Sequence, residues 1–150
     1  MDIDYVYSSP SKRDIKTAIL LCDREIIVDE RLKEINFGIF ERLPEKLRFA
    51  LHIESEQWTD NLDMNYELYK GENLEKVIDR QKNFLNDIIH KHNNNETILI
   101  VGHGCSIYGL FKSLLNDQIK IDYPEFKFLN NAALIVELKN PDLKIVNIIN

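Results

Sequence analysis

The run Ile98-Leu99-Ile100-Val101 constrains the fold of this chain more than any other segment. Four consecutive large aliphatic residues have no polar face, which is typical of a strand buried on both sides in a parallel sheet. Gly102-His103-Gly104 follows this run directly. Because ligands of open α/β sheets bind beyond the carboxyl ends of the strands, His103 is a candidate site residue.

The segments before this strand alternate between strand and helix patterns. Ile3 to Tyr7 and Ile26-Ile27-Val28 predict two short strands. Between them, Ser9-Pro10 predicts a helix cap followed by a first-turn proline. The helix that follows has one apolar face, formed by Ile15, Ala18, Ile19 and Cys22. Residues 44–70 are polar and predict a helical, lid-like excursion.

The second half of the chain continues the alternation. Asn73 predicts the cap of a long helix. The residues that keep helical spacing in it are Leu74, Val77, Ile78, Gln81, Leu85, Ile88 and Ile89. A helix over 105–115 follows the buried strand, and Asn140-Pro141-Asp142 predicts a hairpin between two final strands. Alternating elements around a buried strand predict one α/β domain over residues 1–150, covered on both faces.

Composition narrows the function classes and the expected partners. The net charge of −6 over 150 residues, without a basic stripe, argues against a nucleic-acid partner. No apolar run approaches the roughly 18 residues of a membrane span, so we expect no membrane partner. Cys22 and Cys105 are too few for a disulfide framework, which favours a cytoplasmic protein.

Four residues are candidates for chemistry at the strand ends. Arg13 lies about one turn into the first helix, where a guanidinium can bind phosphate oxygens in a two-pronged contact. His103 and Gly104 lie at the start of another helix, which favours an anion. Glu34 follows the second strand, and burial there would suit it to act as a general acid. Each also has a structural interpretation, as a salt-bridged arginine, a tight turn or one of 25 acidic residues.

Two further residues have a weaker case. Glu72 precedes the long helix and is predicted to complement its dipole. Cys105 follows Gly104, and a helix N-terminus lowers the pKa of a thiol, although a small buried residue is the commoner outcome at such a position. A degenerate dinucleotide fingerprint from Gly102 to Gly109, with Asp122 further on, is a remote alternative because its glycine spacing is wrong.

Five segments together resemble the histidine phosphatase superfamily, whose members are phosphoglycerate mutase-like. They occur in the family's order along the chain. The segments are Tyr7-Ser8-Ser9-Pro10-Ser11-Lys12-Arg13 with Thr17-Ala18, Arg31-Leu32-Lys33-Glu34-Ile35-Asn36-Phe37-Gly38, Gly71-Glu72-Asn73 through Arg80, Val101-Gly102-His103-Gly104, and Asn130-Asn131-Ala132.

The resemblance implies a fold, a reaction and roles for particular residues. The fold is a three-layer α/β/α sandwich with a mostly parallel sheet. The reaction is hydrolysis of a small phosphomonoester through a phosphohistidine, without a metal or other cofactor. Arg13 and Gly104 would bind phosphate, Glu34 would protonate the leaving oxygen, and His103 would be the second histidine of the pocket. Phosphatase and mutase both remain open, and the short excursion favours phosphatase.

One family segment has no counterpart in the printed sequence. The arginine-histidine-glycine segment that carries the nucleophile precedes the tyrosine-serine-serine-proline motif, and nothing precedes Met1. His52, His90 and His92 are predicted to be surface residues. We therefore expect phosphate binding with little or no turnover, or a non-catalytic protein that binds a phosphorylated ligand or a protein partner. Whether Met1 is internal to a longer protein stays open.

The segment also carries a strand that lies inside the family's sheet. Its loss predicts a gap with exposed backbone groups and apolar side chains. We expect either that the neighbouring strands close up or that the chain self-associates through the gap.

Overall fold

A five-stranded mixed sheet forms the centre of the fold. A computed structural model describes residues 2–44, 46–47, 65–114, 133–139 and 142–149, and its strand order is β2-β1-β3-β4-β5. The strands are β1 (Tyr5–Ser8), β2 (Ile26–Val28), β3 (Thr97–Val101), β4 (Ala133–Lys139) and β5 (Asp142–Ile149). β1 pairs in parallel with β2 and β3, whereas β4 is antiparallel to β3 and β5. Four strands therefore run in one direction, which confirms the predicted mostly parallel α/β sheet.

Helices cover both faces of this sheet. They are α1 (Lys12–Leu21), α2 (Leu74–Lys91) and α3 (Gly104–Leu114), with short 3-10 turns at Glu30–Leu32, Gly38–Arg42 and Glu67–Tyr69. Side chains alternate along the strands, so Val6 and Leu99 pack with Ala18 of α1. Tyr7 and Ile100 point to the other face and pack with residues of α2 and α3. The three-layer arrangement is confirmed.

The buried strand closes the sheet directly onto its antiparallel neighbour. Ile98 to Val101 are at most 1% exposed, as expected for a strand covered on both faces. The pairing of β3 with β4 extends from Thr97↔Glu137 to Val101↔Ala133. The described strands therefore form one continuous sheet without an internal gap, and of the two expected outcomes the closed sheet is the one found. The described part of the chain shows no gap through which two copies could associate. Self-association therefore stays a prediction.

The first helix differs from its prediction in its start and in its buried face. Its N-cap is Ser11 rather than Ser9, because Ser9 is buried and its amide donates to the carbonyl oxygen of Val101 at 3.0 Å. The buried residues of α1 are Asp14 and Ala18, whereas Ile19 is 60% exposed. The helix is therefore rotated so that a carboxyl group, rather than an isoleucine, points inward.

The other predicted elements agree with the structure where it describes them. Asn73 caps α2, and its side-chain oxygen accepts a hydrogen bond from the amide of Lys76 at 2.8 Å. α2 also buries Phe84, which the periodicity analysis missed. The pairing Lys139↔Asp142 confirms the predicted hairpin between β4 and β5. Most of the predicted excursion over residues 44–70, and residues 130–132, lie outside the described residues.

His92 is a buried residue, and the prediction that it lies on the surface is wrong. Only 8% of it is exposed, and its Nε2 lies 2.8 Å from the hydroxyl of Tyr7 in β1. Its Nδ1 lies 3.2 Å from the carboxylate of Glu96. Burial lowers the pKa of His92, although the hydrogen bond to Glu96 opposes this effect. His90, in contrast, is exposed on α2, and its Nδ1 lies 2.6 Å from the carbonyl oxygen of Asn86.

The buried histidine predicts a specific dependence of stability on pH. Unfolded His92 has a pKa of about 6.5, and the folded value is lower, so below about pH 6.5 the unfolded state binds the extra proton. The free energy of unfolding should therefore fall between about pH 7 and 5. In His92→Gln this fall should shrink, while in His90→Gln it should stay as in the wild type. Urea denaturation at each pH measures it, and equal slopes in all three proteins would contradict the assignment.

The burial of Phe84 in α2 and the exposure of Ile19 in α1 predict unequal costs for their truncation. Phe84→Ala empties a fully buried site and should lower the free energy of unfolding by about 3–5 kcal/mol. Ile19→Ala should change it by less than about 0.5 kcal/mol, since this side chain is mostly in solvent. Denaturant titrations of both variants provide the measurement. A cost of more than about 2 kcal/mol for Ile19→Ala would restore the original prediction for this helix.

Candidate active site

The segments that leave β1, β2 and β3 emerge at one edge of the sheet. Ser9 donates its amide to the carbonyl oxygen of Val101 at 3.0 Å, and Asp29 donates to that of Ser8 at 3.0 Å. These bonds continue the parallel pairing past the last residues of the strands. The start of α1 and the residues after β3 are therefore neighbours, as the sequence predicts for the carboxyl ends of parallel strands.

His103 occupies the N-terminal end of α3. Its carbonyl oxygen accepts the first helical hydrogen bond, from Ile107 at 2.8 Å. Its amide donates to the hydroxyl oxygen of Ser106 at 3.1 Å, which fixes the turn between strand and helix. A Cβ at Gly102 would lie 2.8 Å from the same hydroxyl, so this glycine permits close packing. Gly104 is the first residue of α3, where amides lack helical partners.

The imidazole of His103 lies between a cation and a carboxyl group of α1. Nη2 of Arg13 is 2.6 Å from Nδ1 of His103. On the other side of the ring, Nε2 is 2.7 Å from Oδ2 of Asp14. Asp14 is fully buried, and His103 is 5% exposed. Arg13 and His103, which were predicted separately, thus meet, and Asp14 is a neighbour that the sequence analysis did not identify.

Glu34 places its carboxyl group at the same helix terminus. Its Oε1 accepts from the amide of Ile35 at 2.9 Å, and its Oε2 accepts from the amide of Cys105 at 3.3 Å. Burial raises the pKa of Glu34, while these backbone bonds and the charges of His103 and Arg80 oppose the rise. A carboxyl group that holds its proton above its usual pH range can act as an acid.

Arg80 holds the Glu34 segment in place and was not identified as such from the sequence. Its guanidinium donates to the carbonyl oxygens of Arg31 and Glu34, the latter at 3.1 Å. It also pairs with the carboxylate of Glu72 at 3.1 Å, and Glu72 accepts from the amide of Asn36 at 2.9 Å. Glu72 therefore ties two segments together next to the start of α2, and its role at the helix dipole stays a prediction. The sequence signal that could have identified this role is the position of Arg80 within α2, one residue before the buried Gln81.

The two weaker alternatives from the sequence do not fit this geometry. Cys105 is 1% exposed, and burial, reinforced by the charge of Glu34, raises the pKa of its thiol well above the usual value. A thiol of this kind is not a nucleophile at neutral pH. Gly109 lies within α3, where an added Cβ would be 3.2 Å from Val77. It serves helix packing rather than a phosphate loop, and Asp122 lies outside the described residues.

Other candidate groups are absent from this edge within the described residues. His90 and His92 lie at the end of α2, and His52 is outside the described part of the chain. No cluster of three or more potential metal ligands occurs among the residues that the structure describes. Over the same residues, no helix is long and apolar enough to cross a membrane.

The two cysteines should differ in reactivity. Cys105 is buried with a raised pKa, whereas Cys22 at the end of α1 is partly exposed and no disulfide joins them. Iodoacetamide at neutral pH should therefore modify Cys22 first, with Cys105 modified at least about tenfold more slowly. Mass spectrometry of tryptic peptides over time measures both rates, and unfolding in urea should equalise them. Faster modification of Cys105 in the native protein would revive it as a nucleophile.

Curated relatives share sequence with most of this chain. A putative phosphoserine phosphatase of Hydrogenobacter thermophilus is 32% identical over 116 residues, which cover 72% of this chain and 54% of the relative. A probable phosphoglycerate mutase of Erwinia tasmaniensis is 28% identical over 121 residues, which cover 77% of this chain and 54% of the relative. The chain thus spans about half the length of these relatives.

A solved structure and a family model agree with the fold. A mycobacterial glucosyl-3-phosphoglycerate phosphatase, solved with inorganic phosphate, has a TM-score of 0.72 at 18% identity, over 97% of this chain and 76% of that protein. At this identity the likeness concerns the fold alone. The model of the histidine phosphatase superfamily (branch 1) matches residues 1–150. The chain belongs to the histidine phosphatase superfamily.

Proposed function

We propose that the edge formed by Arg13, His103, Gly104 and Glu34 binds the phosphoryl group of a small phosphomonoester. The observation that carries this proposal is the 2.6 Å contact between Arg13 and His103 at the N-terminus of α3. It brings a guanidinium, an imidazole and the amides of a helix start to one point. The guanidinium and the helix-start amides favour an anion, and the imidazole beside them completes a site that suits a tetrahedral dianion.

The residues divide the chemistry among themselves. Arg13 would bind two phosphoryl oxygens through its planar fork, and the first-turn amide of Gly104 would contact a third. His103 would stabilise charge on the phosphoryl group. Glu34, whose pKa is raised by burial, would give its proton to the leaving oxygen as the phosphorus–oxygen bond breaks.

The proposal covers phosphate binding but not turnover, because turnover also needs a nucleophile. In the family a histidine of an arginine-histidine-glycine segment attacks phosphorus, and the printed sequence contains no such segment. Of the described histidines, only His103 lies at the site. We therefore expect the 150-residue chain alone to bind phosphate with little turnover.

The substrate class follows from the names of similar proteins. Those relatives are a phosphoserine phosphatase, a phosphoglycerate mutase and a glucosyl-3-phosphoglycerate phosphatase. The three names share a small phosphorylated carboxylic acid, so a phosphomonoester of this kind is the proposed ligand, and phosphatase is favoured over mutase. The lack of a disulfide between Cys22 and Cys105 supports the reducing cytoplasm as the proposed compartment.

A non-catalytic binding protein is the second candidate. The continuous sheet favours it, since β3 pairs directly with β4 and the described strands need no further strand between them. Such a protein would use the same anion site to bind a phosphorylated ligand or a partner.

The proposed anion site predicts weaker vanadate binding in variants that lack Arg13 or His103. Arg13→Ala and His103→Ala should each weaken binding at least about tenfold, because each removes a charge-assisted contact worth about 1.5–3 kcal/mol. Arg24→Ala is the matched control, since Arg24 is exposed and precedes β2 at the opposite edge of the sheet. Isothermal titration calorimetry measures all four proteins. Equal affinities for the wild type and both site variants would reject the proposal.

Turnover on the same samples separates the two candidate functions. The 150-residue chain should hydrolyse para-nitrophenyl phosphate no faster than its Glu34→Gln variant. A clear loss of rate in that variant would show that the chain itself is a catalyst with another nucleophile, and the binding-only expectation would be wrong.

A further inference from the structure

The position of Asp14 is not explained by helix packing or by the proposed phosphate contacts. It lies on the buried face of α1, one turn before Ala18, and it is 0% exposed. Neither of its carboxylate oxygens has a hydrogen-bond partner of standard geometry among the described residues. Its one close polar contact there is Oδ2 to Nε2 of His103 at 2.7 Å. A buried carboxyl with so few partners is costly unless a charge or a proton faces it.

The opposite side of the imidazole fixes the position of the ring proton. A guanidinium can only donate hydrogen bonds, so the 2.6 Å contact from Nη2 of Arg13 requires Nδ1 of His103 to be the acceptor. The proton of the neutral ring is then on Nε2, which faces Asp14. The two contacts therefore place the acceptor nitrogen of His103 towards Arg13 and the other ring nitrogen towards Asp14.

An incoming dianion changes the balance on the Nδ1 side. Phosphate oxygens compete with Nδ1 for the N–H groups of Arg13, and the lone pair of Nδ1 then faces negative oxygens. A proton from solvent on Nδ1 turns this repulsion into a hydrogen bond to the anion. Asp14 on the other side of the ring stabilises the imidazolium that results, as a buried carboxylate does for a neighbouring histidine.

The other groups around the ring do not provide that countercharge. From the segment after β2, Glu34 faces the site with a pKa raised by burial. Arg80 of α2 is a cation that acts on Glu34, and Cys105 of α3 keeps a neutral thiol. Arg13 itself is positive. Asp14 is therefore the carboxylate placed against His103 from a buried position.

We propose that Asp14 is a positioning residue that holds His103 as its Nε2–H tautomer and couples binding of a phosphoryl dianion to the uptake of one proton on Nδ1. This inference rests on the proposed phosphate site and adds the proton to it. It predicts that the site binds dianions more tightly as the pH falls through neutrality.

Sulfate is the probe for the test, because it stays a dianion across neutral pH and adds no titration of its own. Calorimetry in two buffers of different ionisation enthalpy, such as Tris and HEPES, counts the protons taken up per sulfate bound. For the wild-type chain we expect an uptake approaching one proton, and an affinity that falls by up to about tenfold per pH unit above neutrality. In Asp14→Asn the uptake should fall towards zero, and the affinity at low pH should drop about tenfold.

The control is Asp87→Asn, which makes the same chemical change at an exposed carboxylate of α2 and should behave as the wild type. Proton uptake that is unchanged in Asp14→Asn would overturn the inference. So would sulfate binding by the wild type without any proton uptake, and in that case the proposed phosphate site would stand. Absence of binding of both sulfate and vanadate would instead reject the site itself.

A second measurement does not depend on the variant being folded. Nitrogen-15 spectra of the histidine-labelled wild-type chain report which ring nitrogen of His103 carries a proton. Without ligand we expect a proton on Nε2 alone, and with saturating sulfate a proton on both nitrogens. A neutral ring with its proton on Nδ1 in the free protein would overturn the inference.

Discussion

The parallel pairing of β1 with β3 is the constraint on which the site depends. The register places Ser8 opposite Val101, and the bond from the amide of Ser9 to the carbonyl of Val101 extends it beyond the strands. A slip by one residue would move the start of α1 by about 3.3 Å and would send Val6 and Tyr7 to the wrong faces. The apolar core therefore sets the distance between Arg13 and His103, although neither residue belongs to the core.

The site region contains two arginines, although the chain as a whole has a negative net charge. The chain has a net charge of −6, yet two arginines, Arg13 and Arg80, point to the site region. Two carboxyl groups accompany them, and each is handled differently. Burial favours a proton on Glu34, whereas Asp14 faces Nε2 of His103. We therefore expect neither carboxyl group to repel the proposed anion strongly.

The sequence predicted the elements whose signals are local. Four aliphatic residues in a row predicted β3, Asn73 predicted the start of α2, and strand ends with the family motifs predicted Arg13, Glu34 and His103 as site candidates. The errors share another cause: the inward rotation of Asp14 depends on His103, about 90 residues away, and the burial of His92 depends on Tyr7, 85 residues away. Periodicity within one helix contains no information about such contacts. The helical excursion predicted over residues 44–70 lies mostly outside the described residues and stays a prediction.

The strands that position the proposed anion site differ from those that complete the sheet. Strands β1, β2 and β3, with the segments that follow them, position Arg13, Glu34 and His103. In the sheet, β4 lies next to β3 on the side away from β1, and β5 lies next to β4. Direct pairing of β3 with β4 satisfies the backbone of the buried strand without changing the register between β1 and β3. The groups proposed to bind phosphate are thus in place whether or not a further segment supplies a nucleophilic histidine. The proposed phosphate binding of this chain therefore depends on β1, β2 and β3 and not on the pairing of β3 with β4.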